Sequence, residues 1–218
     1  MGRVSGVRVR QWAAVRVSAA DGAQEDFGHT MREDAIPPAI RRRMGRLERL
    51  AVRCTMGVLQ DETTDELIFC SRYGNVEALS LLLRGIAENQ LTSPMVFSGS
   101  VHNAAPGLVG QIRKERLSHT AIAAGRHTLA AALIESFAHF ETSDCTSVTV
   151  TLADLPLPEH FHAFEDEVLP GLALAVRLEP ASESDMRSAV TIEPGRRGAL
   201  SLLDSLKDGA VSLAVGAA

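Results

Sequence analysis

The chemistry-bearing residues of this chain gather in a few short stretches. Ser118-His119-Thr120-Ala121-Ile122-Ala123-Ala124-Gly125 reads as a buried strand and a tight small-residue turn, feeding a helix from Arg126 to about Glu141. Such an elbow is a common mount for a nucleophile. Only small side chains fit the turn, and the helix amino terminus favours a thiolate or oxyanion beside it. The nearest serine or cysteine is Ser118, which lies within the strand, so His119 and His127 have little to activate and read as structural histidines.

The other candidates are weaker. His102-Asn103 fits a helix start with Asn103 as N-cap, and equally a polar pair at an interface or tunnel wall. His160-x-His162, with Glu159, Glu165 and Asp166, has the residue types of a metal site but no ligand set at defined spacing, and reads as a solvated loop. Cys145 follows the elbow helix without an adjacent base. Gly107-Leu-Val-Gly110 is too short to cradle a phosphate. The residues therefore imply no metal and no cofactor.

The elements that must position these stretches follow from periodicity. Val7 to Val17 alternates loosely, as a half-buried strand with a bulge near Trp12. Residues 18–35 are small, polar and acidic, and read as a surface loop. Pro37-Pro38 opens a helix in which Ile40, Met44, Leu47, Ala51, Cys54 and Val58 make one stripe. Arg42, Arg46, Arg49 and Arg53 fall on its other side, as a solvated face or a docking surface for an acidic partner.

Leu67-Ile68-Phe69-Cys70 is a strand covered on both faces, and Asn75 caps a helix to about Asn89 that buries Leu79, Leu82, Leu83 and Ile86. A helix is expected from Ala104 to Lys114. Strands are expected at 147–154, 171–178 and 188–192, then a helix at 200–206 and a frayed tail over about 208–218. Strands alternating with helices predict a three-layer α/β/α domain. Its sheet should be mixed, mostly parallel and five-stranded, in one domain over 1–218.

Composition narrows the function classes. The 218 residues suit one core, and a 4% aromatic content disfavours base-stacking nucleic-acid platforms. Net charge is −5, unevenly spread: residues 1–53 carry +5 and the remainder −10. Three scattered cysteines suggest no disulfide framework and a reducing cytoplasm. No apolar run has the length of a membrane span or a signal peptide.

Several of these stretches agree on one family. Ile36-Pro37-Pro38-Ala39-Ile40-Arg41-Arg42-Arg43-Met44, then Ser93-Pro94 with Phe97-Ser98, Ser100-Val101-His102-Asn103-Ala104-Ala105-Pro106-Gly107, and Thr120 to Gly125 resemble the short β-ketoacyl synthase-like proteins of aryl polyene and related pigment pathways. The elbow resembles the synthase run Asp-Thr-Ala-Cys-Ser-Ser, which sets Ile122 where the nucleophile belongs. The resemblance covers about residues 7–206 and implies a thiolase-like half-fold. The second half of a synthase, with its two catalytic histidines, is absent from it. Without a thiolate no acyl-enzyme forms.

The resemblance implies a non-catalytic, chain-length-factor-like subunit that pairs with a full-length β-ketoacyl-ACP synthase and shapes its acyl tunnel in the cytoplasm. Related dimers extend the sheet across the interface. His102, Asn103, Thr120, Ala121, Ile122 and Ala123 would then lie at the partner interface or tunnel, and Arg42, Arg46 and Arg49 would assist acyl carrier protein docking. Two rivals stay open: an acyl-thioester hydrolase or acyltransferase using His119, His127 and a serine, and a homodimeric scaffold that binds carrier protein alone.

Overall fold

The structure is a computed structural model that describes residues 6–165, 170–181, 190–191, 195–210 and 212–214. Strand β1, Val7–Val17, is covered on both faces. Its pairing register shifts between Val9 and Gln11, a bulge slightly ahead of the expected one. The extra residue inverts the facing of the strand. Val7, Val9 and Ala14 therefore pack into one core cluster, and Ala13, Val15 and Val17 into the opposite one.

Residues 18–35 are not the plain loop their polarity suggests. Gln24–Gly28 forms β2, antiparallel to β1 from Val17↔Gln24 to Ala13↔Gly28. Asp21-Gly22 makes the turn: the Asp21 carboxylate accepts from the Ala23 amide at 3.0 Å, and Gly22 adopts φ +72°. That dipeptide was the available hairpin signal. The chain then lies as a strap across the next long helix.

Pro37-Pro38 does open a helix, but only a short one. α1, Pro38–Arg41, stops, and α2, Arg46–Leu59, restarts after an extended Gly45. The arginines beyond Arg42 hold the strap rather than face solvent. Arg46 donates to the Gly22 carbonyl at 3.1 Å, and Arg49 to the Glu33 carboxylate at 3.3 Å. Arg53 donates to Gln24 at 2.8 Å and to the Met31 carbonyl at 3.0 Å, and pairs with Asp26.

After β3, Glu66–Cys70, comes α3, Val76–Ala87, where the Asn75 side chain accepts from the Ala78 amide at 3.0 Å as expected. Of the predicted stripe only Leu82 is buried; Leu79, Leu83 and Ile86 are 43%, 48% and 64% exposed. Pro94–Ser100 folds as a further helix, α4, with Ser93 as N-cap, and Ala104–Arg113 is α5. Then follow β4 (His119–Ile122), α6 (Thr128–Thr142), β5 (Val148–Asp154), β6 (Gly171–Pro180), β7 (Val190–Thr191), α7 (Gly195–Lys207) and β8 (Ser212–Ala214). Residues 188, 189 and 192 of the expected short strand, Asp166, and residues 215–218 of the expected tail lie outside the described residues.

Among the described residues the sheet has eight strands, in the order β4-β3-β5-β6-β1-β8-β7 with β2 paired to β1. The sheet is mixed as expected, but it exceeds five strands and, with four antiparallel pairings against three parallel ones among the described residues, it is not mostly parallel. β3 pairs in parallel with β4 and β5, and β7 with β8, while β1–β2, β1–β6, β1–β8 and β5–β6 are antiparallel. The hairpin and the terminal strands supply the excess, and β8 also orders part of the segment read as a frayed tail.

The three layers are as expected. α2 and α5 cover one face through Leu47, Leu50, Ala51, Cys54, Val58 and Ala105. α6 and α7 cover the other through Leu129, Leu133, Phe140, Leu202, Leu203 and Leu206. Thr149 and Thr151 of β5 alternate with apolar residues yet are buried. Their hydroxyls bond to Thr64 at 3.1 Å and Thr55 at 2.7 Å, so the alternation marks two covered faces. No helix among the described residues is long and apolar enough to cross a membrane.

Candidate functional site

Among the described residues β4 is an edge strand, paired only with β3. Its last residue, Ile122, opposes Cys70, and its carbonyl accepts from the Ser71 amide at 3.2 Å. The bend follows at once: Gly125 takes φ +58°, and Thr128 latches the turn. The Thr128 hydroxyl donates to the Gly125 carbonyl at 2.7 Å and accepts from the Ala124 amide at 3.0 Å. Ala123 and Ala124 are exposed, while Ile122 is half-buried and packs against the α6–α7 core cluster. Thr120, facing the same way, donates to the buried Glu66 carboxylate at 3.2 Å.

β3 and β4 run parallel, so the chain leaves both at the same end of the sheet. Asp154, at the end of β5, organises that end. Its Oδ1 accepts from the Ser71 hydroxyl and the Arg72 amide, both at 2.9 Å, and Ser71 Oγ accepts from the Gly74 amide at 2.8 Å. His102 closes over this turn. Its Nε2 lies 3.2 Å from the Ser71 carbonyl, its ring meets Phe69 edge-on at 6.4 Å, and Gly74 leaves it room. His102 is thus held in place by the β3–α3 turn. Asn103 stands at the N-cap of α5 but makes no capping bond; its side chain lines a cleft instead.

That cleft, about 410 Å³, lies among α4, α5 and the start of α2. Glu48 reaches into it from α2 although only 1% exposed. Glu48 Oε1 accepts from Asn75 Nδ2 at 2.7 Å. Burial pushes its pKa up, and Asn75 offsets that in part. Sequence reasoning missed Glu48, a carboxylate in a helix otherwise assigned by its apolar stripe; an acidic residue beside that stripe was the one signal.

The remaining candidates separate. His119 Nδ1 bonds to the Leu117 carbonyl at 3.2 Å, and among the described residues no hydrogen bond joins His119 or His127 to a serine. The serine–histidine contact that does form is Ser80 Oγ to His160 Nε2, 2.7 Å apart at the surface. His162 bonds to the Leu157 carbonyl at 2.9 Å, so the two loop histidines serve different partners. Cys54 and Cys70 are buried thiols; burial pushes Cys54 up to about 12 and Cys70 well above its usual value. Arg42 is exposed, whereas Arg46 and Arg49 are engaged by the strap.

Beside α3, the face of α4 is also bare: Met95 is 55% and Phe97 63% exposed, and Leu81 of α3 is 61% exposed. Leu79, Leu83 and Ile86 of α3 thus share one helix face that is largely left in solvent.

Comparison with known proteins places these features. A search of curated protein sequences finds no match. Among solved structures, the chain is similar to a ketosynthase (ApeO) in complex with its chain length factor (ApeC) from Xenorhabdus doucetiae. There the TM-score is 0.70 at 21% identity, covering 82% of this chain and 80% of that one. It is also similar to the ishigamide ketosynthase/chain length factor, with TM-score 0.64 and 17% identity over 82% of this chain and 63% of that one. A β-ketoacyl synthase from Burkholderia phymatum gives TM-score 0.58 and 13% identity, over 85% and 62% of the two chains. These likenesses establish a thiolase-like ketosynthase fold. The family model for the β-ketoacyl synthase N-terminal domain matches residues 10–208, and the chain belongs to that family.

Proposed function

We propose that this chain is a non-catalytic, chain-length-factor-like subunit that pairs with a catalytic β-ketoacyl-ACP synthase and shapes its acyl tunnel in polyene or fatty-acid-type biosynthesis. The observation that carries this reading is the elbow. A strand, turn, latch and helix follow one another here, and the resemblance to the synthase run assigns the nucleophile's position to Ile122, whose side chain is an alkyl group. Covalent acyl transfer needs an activated nucleophile there. The partner would supply the chemistry.

Two features support the pairing. β4 presents an unpaired edge, able to continue a sheet into a second subunit. The apolar faces of α3 and α4 are bare, and α3 leaves the sheet at the same end as the elbow. In this reading Leu79, Leu83 and Phe97 meet the partner and bound its tunnel, with Ala121 and Ala123 at the margin. Ile122 fills the seat beneath α6 more than it projects outward. Carrier-protein docking in the cytoplasm would fall to Arg42 rather than to Arg46 or Arg49.

Co-expression with a full-length β-ketoacyl-ACP synthase from the same organism tests the proposal. The two should co-elute, and Leu79→Glu with Phe97→Glu should abolish co-elution while leaving the circular dichroism of the isolated chain unchanged. Failure to co-elute, with the synthase alone making full-length product, would overturn it.

A further inference from the structure

The cleft under α4 is elongated. Ala104, Gly107, Leu108 and Gln111 line it from α5 at steps of three and four, so it follows one helix face for about 10 Å at the helical rise per residue. Pro94, Met95 and Val101 supply the rest of its apolar wall. Met95 is 55% and Val101 46% exposed, apolar area that a bound molecule would take out of water. A Cβ at Gly99 or Gly107 would meet nothing within 4 Å, so both stretches of backbone are open to a ligand. The volume, about 410 Å³, falls within the range of small-molecule pockets.

One end of this trough is charged. Arg43, in the turn between α1 and α2, lines it, and its Nη1 lies 3.5 Å from Gln111 Oε1. Among the described residues that long bond to a neutral amide is the only side-chain contact of the Arg43 guanidinium, whereas Arg49 and Arg53 of α2 are paired with Glu33 and Asp26. Arg43 is the one cation in the lining. The one anion there, Glu48, is 1% exposed and bonded through Oε1 to Asn75 at 2.7 Å. The charge a ligand meets is therefore that of the guanidinium. A single guanidinium matches a monoanion, whose two oxygens it can meet in parallel, better than a dianion. We propose that the cleft binds an elongated amphipathic carboxylate, its apolar body along α5 against Met95, Val101 and Leu108 and its carboxylate on Arg43, with the Gln111 amide donating beside it. These residues all belong to this chain. Phe97, assigned above to the synthase interface, does not line the cleft, so the site stands apart from that pairing.

Three probes of one shape test it: phenylpropanoate, phenylpropanamide and phenylpropylamine, titrated into the full chain and followed by amide chemical shifts. The shifts should centre on Gly99, Gly107 and Gln111. The carboxylate should bind about threefold to tenfold tighter than the amide, the range between an exposed ion pair and a charge-assisted hydrogen bond, and the amine should bind weakest. Arg43→Met, an exposed change that keeps the bulk, should erase that preference and leave the affinity of the amide as it was. Arg116→Met, at an exposed arginine outside the lining, should leave the preference intact. Gly107→Phe, which fills the cleft and leaves Arg43 in place, should abolish binding of all three. Equal affinity for carboxylate and amide, a preference that survives Arg43→Met or is lost with Arg116→Met, binding that survives Gly107→Phe, or shifts centred elsewhere would each overturn the proposal. So would the absence of any shift at millimolar probe.

Discussion

Gly57 lies in the middle of α2, where glycine costs about 1 kcal/mol against alanine. Gly57→Ala should nevertheless destabilise the protein. A Cβ built there would lie 1.7 Å from the His29 carbonyl oxygen and 2.9 Å from the Met31 amide nitrogen. The first distance is at least about 1.5 Å short of an ordinary contact, so the strap must lift. Lifting it strains the Met31 amide to Arg53 carbonyl bond and the Arg53 Nε to Met31 carbonyl bond, both 3.0 Å. The Arg53 contacts to Gln24 and Asp26 follow. Overpacking costs about 1–3 kcal/mol and each weakened hydrogen bond about 1 kcal/mol, so the helix-propensity gain is outweighed and a net loss of about 2–4 kcal/mol results. Urea denaturation monitored by circular dichroism reads this as a lower midpoint, and limited proteolysis should open cleavage within residues 18–35. Gly85→Ala in α3 is the control, since its Cβ meets only Thr92 Cγ2 at 3.5 Å, and it should gain about 0.5–1 kcal/mol. A Gly57→Ala protein as stable as the parent would refute the packing of the strap on α2.

Three further outcomes are expected. Asp65 Oδ2 accepts from the Thr146 amide at 2.8 Å and the Ser147 amide at 3.0 Å, and the Thr146 bond above all holds its carboxyl below the usual range. Its folded pKa is depressed, so its contribution is full above the unfolded pKa of about 3.9 and is lost as pH falls through the folded value. Asp65→Asn should therefore cost about 1 kcal/mol at pH 7, discounted for exposure, and the gap should close on acidification; a gap that widened in acid would contradict the assignment. Native alkylation at pH 8 should modify Cys145 alone, slowly, because burial raises its thiol too, and should spare Cys54 and Cys70 until denaturant is added. Mass spectrometry counts the adducts. Ile122→Cys restores a thiol at the elbow without the rest of a condensing site. The isolated variant should give no condensation product from acyl and malonyl thioesters, and any such product would refute the claim that the rest of a condensing site is missing, while product from the parent chain would end the non-catalytic reading.

Elements that depend on neighbouring residues were legible. The Asn75 cap, the Pro37-Pro38 start and the strand–turn–helix of residues 118–141 are set by bonds within a few positions, and each appears within a residue or two. The family was legible as well, because the Ser-Val-His-Asn run and the elbow are contiguous. The site was only partly so. Ile122 ends its strand just before the expected turn, but Glu48 and the cleft assemble from α2, α4 and α5, up to about sixty residues apart.

The sequence by itself determined which segments would be helices and strands wherever an apolar stripe or a cap was strong. Tertiary structure decided what each face touches. The stripe of α3 says that Leu79, Leu83 and Ile86 favour cover, yet nothing among the described residues provides it. The arginines of α2 read as a solvated face, yet three of them hold a strap that begins some thirty residues earlier. Periodicity encodes a surface's preference for water or oil, whereas its partner is chosen by long-range packing, to which local spacing carries no address.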